Sequence, residues 1–172
     1  HLQIQFTYLL YYEWRNYYEK QPYDNETFFN EYSKMARSQF GLEAAGEWET
    51  MINLLPNLEG LNILDLGCGY GWHCAYFKNK KANKILGIDI SEKIIKKAIE
   101  INLSLNIEYL VKDFYSLNDI NDSYHLVFSS LAIHYIQDFE NLTKQVRKLL
   151  KPKGTFLFSV EHPIFTAEGS QQ

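Results

Sequence analysis

A chain of 172 residues, 46% hydrophobic and 22% charged, carries enough apolar material for a sizeable core and sits in the ordinary globular range. Its formal net charge of −4 supplies no global field that would draw it to nucleic acid or to an anionic membrane. Cys68 and Cys74, the two cysteines, fit no C-x-x-C metal pattern and lie too close in sequence for an unstrained disulfide. Reduced thiols and a cytoplasmic setting are therefore expected. The run Tyr8–Tyr12 lacks the basic leader and apolar length of a signal peptide, and no stretch approaches a membrane span.

Residues 1–23 are rich in aromatic side chains: Tyr8, Tyr11, Tyr12, Trp14, Tyr17, Tyr18 and Tyr23. Ile4, Tyr8, Tyr11 and Tyr12 would share one helical face, which suits either an extra docking helix or an extension outside the main domain. Asn25 can cap a helix running to about Ser38, with Phe28, Tyr32 and Met35 on one stripe. After a loop over Gln39–Leu42, a second helix is expected over Glu43–Leu55, burying Trp48, Ile52 and Leu55 and stopped by Pro56. These helices, residues 24–60, precede a core domain over 61–172.

The core opens on Asn62–His73, NILDLGCGYGWH. Ile63, Leu64 and Leu66 form the apolar run of a strand buried on both faces. Gly67, Gly69 and Gly71 follow at alternate positions, and helix-like sequence runs from Trp72 to Lys80. Glycine suits such an elbow because it adopts backbone angles closed to other residues and lets a ligand approach the main chain beside free helix N–H groups. Some Gly-rich elbows in α/β proteins hold no ligand. Lys84–Ile88 is a second strand ending in Asp89, about twenty residues past the glycines, where a carboxylate can accept both hydroxyls of an adenosine ribose. Asp89 could instead cap the next helix, but Ser91 already offers that cap. That helix spans Ser91–Asn102 and turns Ile94, Ile95, Ala98 and Ile99 inward.

Ile107–Val111 reads as a third strand, followed by Asp113 and Phe114. His125–Ser129 is a fourth and central strand, with Ser129 and Ser130 at its C-terminal end. Ligands of doubly wound sheets bind at that end, where strand order reverses. Asp138–Leu150 is an amphipathic helix closed by Lys148, Lys151 and Pro152. Gly154 starts a fifth strand that ends before Glu161, His162 and Pro163.

The dinucleotide fingerprint G-x-G-x-x-G would need a third glycine where Trp72 stands. The pattern found, D-x-G-x-G-x-G from Asp65 to Gly71, resembles motif I of the class I S-adenosylmethionine (SAM)-dependent methyltransferases. The resemblance continues through GIDIS (Gly87–Ser91), KDF (Lys112–Phe114), HLVFSSLAIHYI (His125–Ile136) and TFLFSVEHP (Thr155–Pro163). MARSQFGLEAAGEW (Met35–Trp48) resembles a bacterial, methyltransferase type 11-like subgroup acting on small molecules. The resemblance implies an α/β fold: a doubly wound, mostly parallel sheet of strand order 3-2-1-4-5, with the N-terminal helices as a lid. It implies SAM as cofactor and S-adenosylhomocysteine (SAH) as product, held by Asp65, Gly67, Cys68, Gly69, Gly71, Asp89 and Ser129. Asp113 would meet the adenine amino group, with Ile90 and Phe114 on the ring faces. Arg37 would fork onto the cofactor's carboxylate, although a solvated surface arginine explains it equally well.

Methyl transfer is a displacement at carbon, so the protein mainly aligns the partners and excludes water. Where the acceptor is a hydroxyl or ammonium, a general base adds about 10²–10⁴. His162 and His134 are the candidate bases, Tyr135 is a weaker one, and each could equally line the pocket. His73 is expected to pack or cap. No nucleophile elbow, P-loop or metal-ligand spacing is present, so no metal site is expected. A SAM-binding protein without turnover and an NAD-dependent oxidoreductase stay open; Trp72 and the Asp113–Phe114 pair speak against the second. The acceptor is expected to be a small molecule. The full family fold ends in an antiparallel hairpin beside the fifth strand, and the chain reaching only Gln172 leaves no room for one. TFLFSV would then be an exposed edge, open to pairing with a second copy or to cover by the Tyr-rich segment.

Overall fold

The computed structural model describes residues 24–161. The Tyr-rich residues 1–23 and His162 lie outside that range. Strands β1 (Asn62–Leu66), β2 (Lys84–Asp89), β3 (Glu108–Val111), β4 (Tyr124–Ser130) and β5 (Leu150–Ser159) form one sheet in the order β3-β2-β1-β4-β5. Every neighbouring pair is parallel. The order expected from the sequence is the order found.

β1 lies at the centre because it is apolar on both faces. Ile63 and Leu64 are fully buried on opposite sides. Ile63 packs with Trp48, Cys74, Phe77 and Phe128, whereas Leu64 and Leu66 pack with Leu142, Val146 and Leu149. The period of two along a strand makes this division, and it also sends Asp65 to the Ile63 side. The crossover helices α4 (Trp72–Asn79), α5 (Glu92–Ile101) and α6 (Phe139–Leu149) cover the faces. Ser91 caps α5 through Ile94 N–H at 3.2 Å, and Asp138 caps α6 through Asn141 N–H at 2.8 Å. Ile94, Ile95 and Ala98 point inward as expected, but Ile99 is 43% exposed, at the flank of the buried stripe.

The helices before the sheet are shorter than their periodicity suggests. The first breaks at Met35 (φ −58°, ψ 140°) into α1 (Glu26–Lys34) and α2 (Ala36–Phe40). The second is a 3₁₀ turn over Gly41–Ala44 followed by α3 (Trp48–Ile52). Gly46, a poor helix residue, lies in the gap between them. α3 buries Trp48 and Met51, while Ile52 stays exposed. β5 also begins earlier than Gly154. Tyr124 pairs with Leu150 and Leu126 with Thr155, so Lys151–Gly154 bulge out of register. Pro152 stands inside the bulge, where no ladder donor is required.

Candidate functional site

The glycine loop leaves the sheet at the C-terminal ends of β1 and β4, where strand order reverses. Gly67, Gly69 and Gly71 have φ of 71°, 55° and 77°, in the left-handed region. Space is as restrictive as conformation. A Cβ on Gly67 would lie 2.5 Å from Ala132 Cβ, one on Gly69 2.6 Å from the Tyr32 hydroxyl, and one on Gly71 2.2 Å from the Tyr109 hydroxyl. Only glycine satisfies both demands. The loop is tied to β2: Gly67 and Cys68 N–H both donate to Ile88 O at 2.9 Å, and Gly69 N–H donates to Asp89 Oδ2 at 3.1 Å.

Asp89 also accepts Ser91 N–H on Oδ1 at 3.1 Å. Burial raises its pKa to about 6, against the pull of these backbone donors. Beside it Asp24 caps the start of α5, accepting Ser91 Oγ–H at 2.6 Å and Lys93 N–H at 3.1 Å. Ile90, Leu110 and Val111, at the ends of β2 and β3, are each at least 41% exposed. Asp113 accepts Tyr115 N–H at 3.0 Å and starts the turn that carries Phe114. Phe114 Cζ comes within 3.2 Å of where a Gly67 Cβ would be. Gly67, Gly69, Asp89, Ile90, Asp113 and Phe114 thus lie close together beyond the C-terminal ends of the strands.

Asp65 and Cys68 lie beneath the loop. Asp65 is 1% exposed; its Oδ2 accepts the Cys74 thiol at 3.2 Å, and its Oδ1 meets no hydrogen-bond donor among the described residues. Burial raises its pKa from 3.8 to about 7, the Cys74 thiol opposes this, and the charge of Asp89 adds to it. Cys68 is buried against the underside, and burial pushes its thiol up to about 11. Ser129 is fully buried and donates to Leu66 O at 2.8 Å, which continues the pairing of β1 and β4.

The helices before the sheet contribute a second group of residues. Arg37 donates one terminal nitrogen to Glu47, and Ser130 Oγ–H donates to the same Glu47 oxygen at 2.6 Å. His73 packs against Trp48 and Phe128 with ring centroids 5.1 and 4.9 Å away. Burial, then the charge of Arg37, lowers its pKa to about 4, so it stays neutral in the core. His134, in the turn after β4, is half-buried, and burial lowers its pKa. The sequence reading did not single out Asp24 and Glu47, and it took Tyr32 only as part of an apolar stripe. Glu47 stood in the open inside Met35–Trp48, the run that already set these helices apart.

A five-stranded 3-2-1-4-5 sheet with a tied glycine loop and a strand-end acid defines a Rossmann-like α/β methyltransferase fold. Residues 63–154 match the methyltransferase domain family, and the chain belongs to it. It is similar to the crystal structure of a SAM-dependent methyltransferase from Mesorhizobium loti: 42% identity, TM-score 0.70, covering 74% of this chain and 59% of that one. Phosphoethanolamine N-methyltransferase 1 of Haemonchus contortus, solved with phosphoethanolamine and SAH, is 26% identical with TM-score 0.64, over 77% of this chain and 30% of that one. An uncharacterized protein of Haemophilus influenzae is 35% identical over 84% of this chain and 59% of its own length. The chain thus spans about three-fifths or less of these relatives. Proteins of this family use SAM. Among the described residues no cluster of His, Cys, Asp and Glu could hold a metal ion, and no helix is long and apolar enough to cross a membrane.

The buried Asp65 carboxyl has a consequence for stability. Its folded pKa of about 7 lies above the unfolded value, so its contribution is present at about pH 4 and is lost as pH rises through about 7. Asp65→Asn cannot ionise. Relative to the parent, the variant should gain on the order of 2–4 kcal/mol between pH 5 and pH 8. Urea unfolding at both pH values measures the difference, and a parallel shift at the two would contradict it.

Proposed function

We propose that this chain moves the methyl group of SAM to a small-molecule O, N or C acceptor. The observation that supports it best is the left-handed glycine loop tied through Gly69 N–H to Asp89 at the strand ends. The residues present suit the cofactor. Asp89 faces where ribose hydroxyls would sit, and the exposed Ile90 side chain and Phe114 suit the two faces of an adenine. Asp113 stands at its rim, and the Arg37 fork is within the lid. Asp65, Cys68 and Ser129 serve from below: they hold Gly67–Gly71 in its cradle shape rather than reaching the ligand. In this reading residues 24–60 are the lid over a core of 61–172, and 1–23 are an extension.

Bound SAM supplies a methyl carbon already activated by a sulfonium leaving group. The chain's own task is alignment and dryness. Tyr32 and Ala132 pack onto the loop and exclude water from its rim. His134, held neutral by burial, is able to take a proton from an acceptor hydroxyl or ammonium at neutral pH. His162, outside the described residues, is the second candidate base. Free buried thiols at Cys68 and Cys74 support a cytoplasmic location.

Isothermal calorimetry with SAM, SAH and NAD tests this reading. SAM and SAH should bind and NAD should not. Asp89→Ala should weaken SAM at least tenfold, since hydrogen bonds to a charged group contribute about 1.5–3 kcal/mol each. Unchanged affinity would remove Asp89 from the site. A panel of small amines and hydroxyl compounds, phosphoethanolamine among them, then finds the acceptor. His134→Gln or His162→Gln should keep SAM affinity while turnover falls by about two orders of magnitude. Normal turnover in both variants would leave alignment as the whole of catalysis.

We propose further that β5 pairs with a second copy. Its outer edge has no partner strand among the described residues, and Phe158 and Val160 beside it are 37% and 46% exposed. Light scattering should show a dimer that dissociates on Phe158→Lys. A monomer at all concentrations would contradict the pairing.

A further inference from the structure

The lid holds an ion pair whose position is fixed from both ends. Gly41, at the end of α2, has φ of 63°, and a Cβ there would lie 2.9 Å from the Trp72 indole. Arg37, one turn earlier, is thereby set against the start of α4. Glu47 immediately precedes Trp48, which is locked in the core by Tyr76 at 4.8 Å and His73 at 5.1 Å between ring centroids. The Glu47 carboxylate cannot drift, and its Oε1 takes both the Arg37 guanidinium and the Ser130 hydroxyl at the end of β4. Burial works against the Glu47 charge, but the hydrogen bonds from Ser130 and Arg37 outweigh it and hold its carboxyl below the usual range.

Arg37 spends one terminal nitrogen on this bond. A guanidinium carries five N–H donors in a flat fork, and the remaining ones of Arg37 make no hydrogen bond among the described residues. Through Glu47 the guanidinium is tied to Ser130 at the C-terminal end of β4, the end of the sheet at which the glycine loop leaves β1, with one edge engaged and the other unspent. A flexible arginine in that place would have to give up much rotamer freedom to meet a ligand; one held by Glu47 has already done so.

We propose that Glu47 is a positioning residue that fixes Arg37 for the cofactor's carboxylate, so that the site selects nucleosides bearing the amino-acid moiety over those without it. The inference rests on the reading of the strand-end site as a SAM site. It adds what that reading lacks, a reason for the run from Met35 to Trp48: Arg37 is the fork, Gly41 the seat on Trp72, Glu47 the brace and Trp48 its anchor. Ser130 links the brace to the end of β4.

Two ligands separate this role from simple stabilisation of the fold. SAH carries the carboxylate; 5′-methylthioadenosine keeps the adenosine and thioether but lacks it. By calorimetry, Glu47→Gln should weaken SAH about tenfold and change 5′-methylthioadenosine by less than about twofold. Glu47→Asp keeps the charge but draws it back by one methylene, and should give the same selective loss in a folded protein. Arg37→Gln should lose SAH selectively too, and the double variant Arg37→Gln/Glu47→Gln should be no weaker than Arg37→Gln alone. Equal losses for both ligands, an unchanged SAH affinity in Glu47→Gln, or additive losses in the double variant would each overturn the proposal. Wild-type protein that binds neither ligand would overturn the SAM-site reading itself, and this inference with it.

Discussion

The hydrogen bond from Gly69 N–H to the Asp89 carboxylate joins two features that make sense only together. One is a loop that leaves β1 through three left-handed glycines; the other is an acid at the end of the adjacent strand. Parallel pairing of β1 with β2 sets Leu66 beside Ile88, so the residues that follow each strand meet at one level. Gly67 and Cys68 N–H continue the ladder onto Ile88 O, and Gly69 turns to the side chain one residue further on. The loop is thus an extension of the sheet, held in a shape that only glycine permits.

This construction has a cost beneath it. Asp65 continues the alternation of β1 and therefore faces the packed side of the sheet, with Cys74 as its hydrogen-bonded neighbour. A nearly unexposed carboxyl with an unpartnered oxygen is an expensive thing to bury, and it resists the cost by staying protonated to about pH 7. Asp89 sits higher, meets two backbone N–H groups, and titrates at about 6. The two acids, one on β1 and one on β2, are set apart by burial and donors.

Much of the fold was legible because the sheet is simple. Alternation around Ile63–Leu66, Ser91 as a cap and the strand-end acids are local signals, and each appears where expected, while Asp138, read as the start of its helix, caps it. The helices before the sheet were less legible. Helical periodicity ran through Met35 and Gly46, whereas the chain breaks there, because Tyr32 must seat on Gly69 and Gly41 on Trp72. Those are contacts between residues far apart in sequence, and no window over a single helix contains them. Glu47 shows the same limit: its partners, Arg37 and Ser130, lie ten and eighty-three residues away. Ser129 reads as a strand-end residue in sequence, yet its hydroxyl is spent on Leu66 O.

The central claim is that SAM lies on the tied loop between Gly69 and Asp89. An ¹⁵N-resolved NMR titration with SAH tests it directly, because the amides of Gly67, Cys68, Gly69 and Ser91 are the groups that hold the site together. The account predicts that these amides, with those of Ile90 and Asp113, shift most and saturate together. Saturating SAH that leaves them in place, or that moves chiefly the amides along β5, would contradict it.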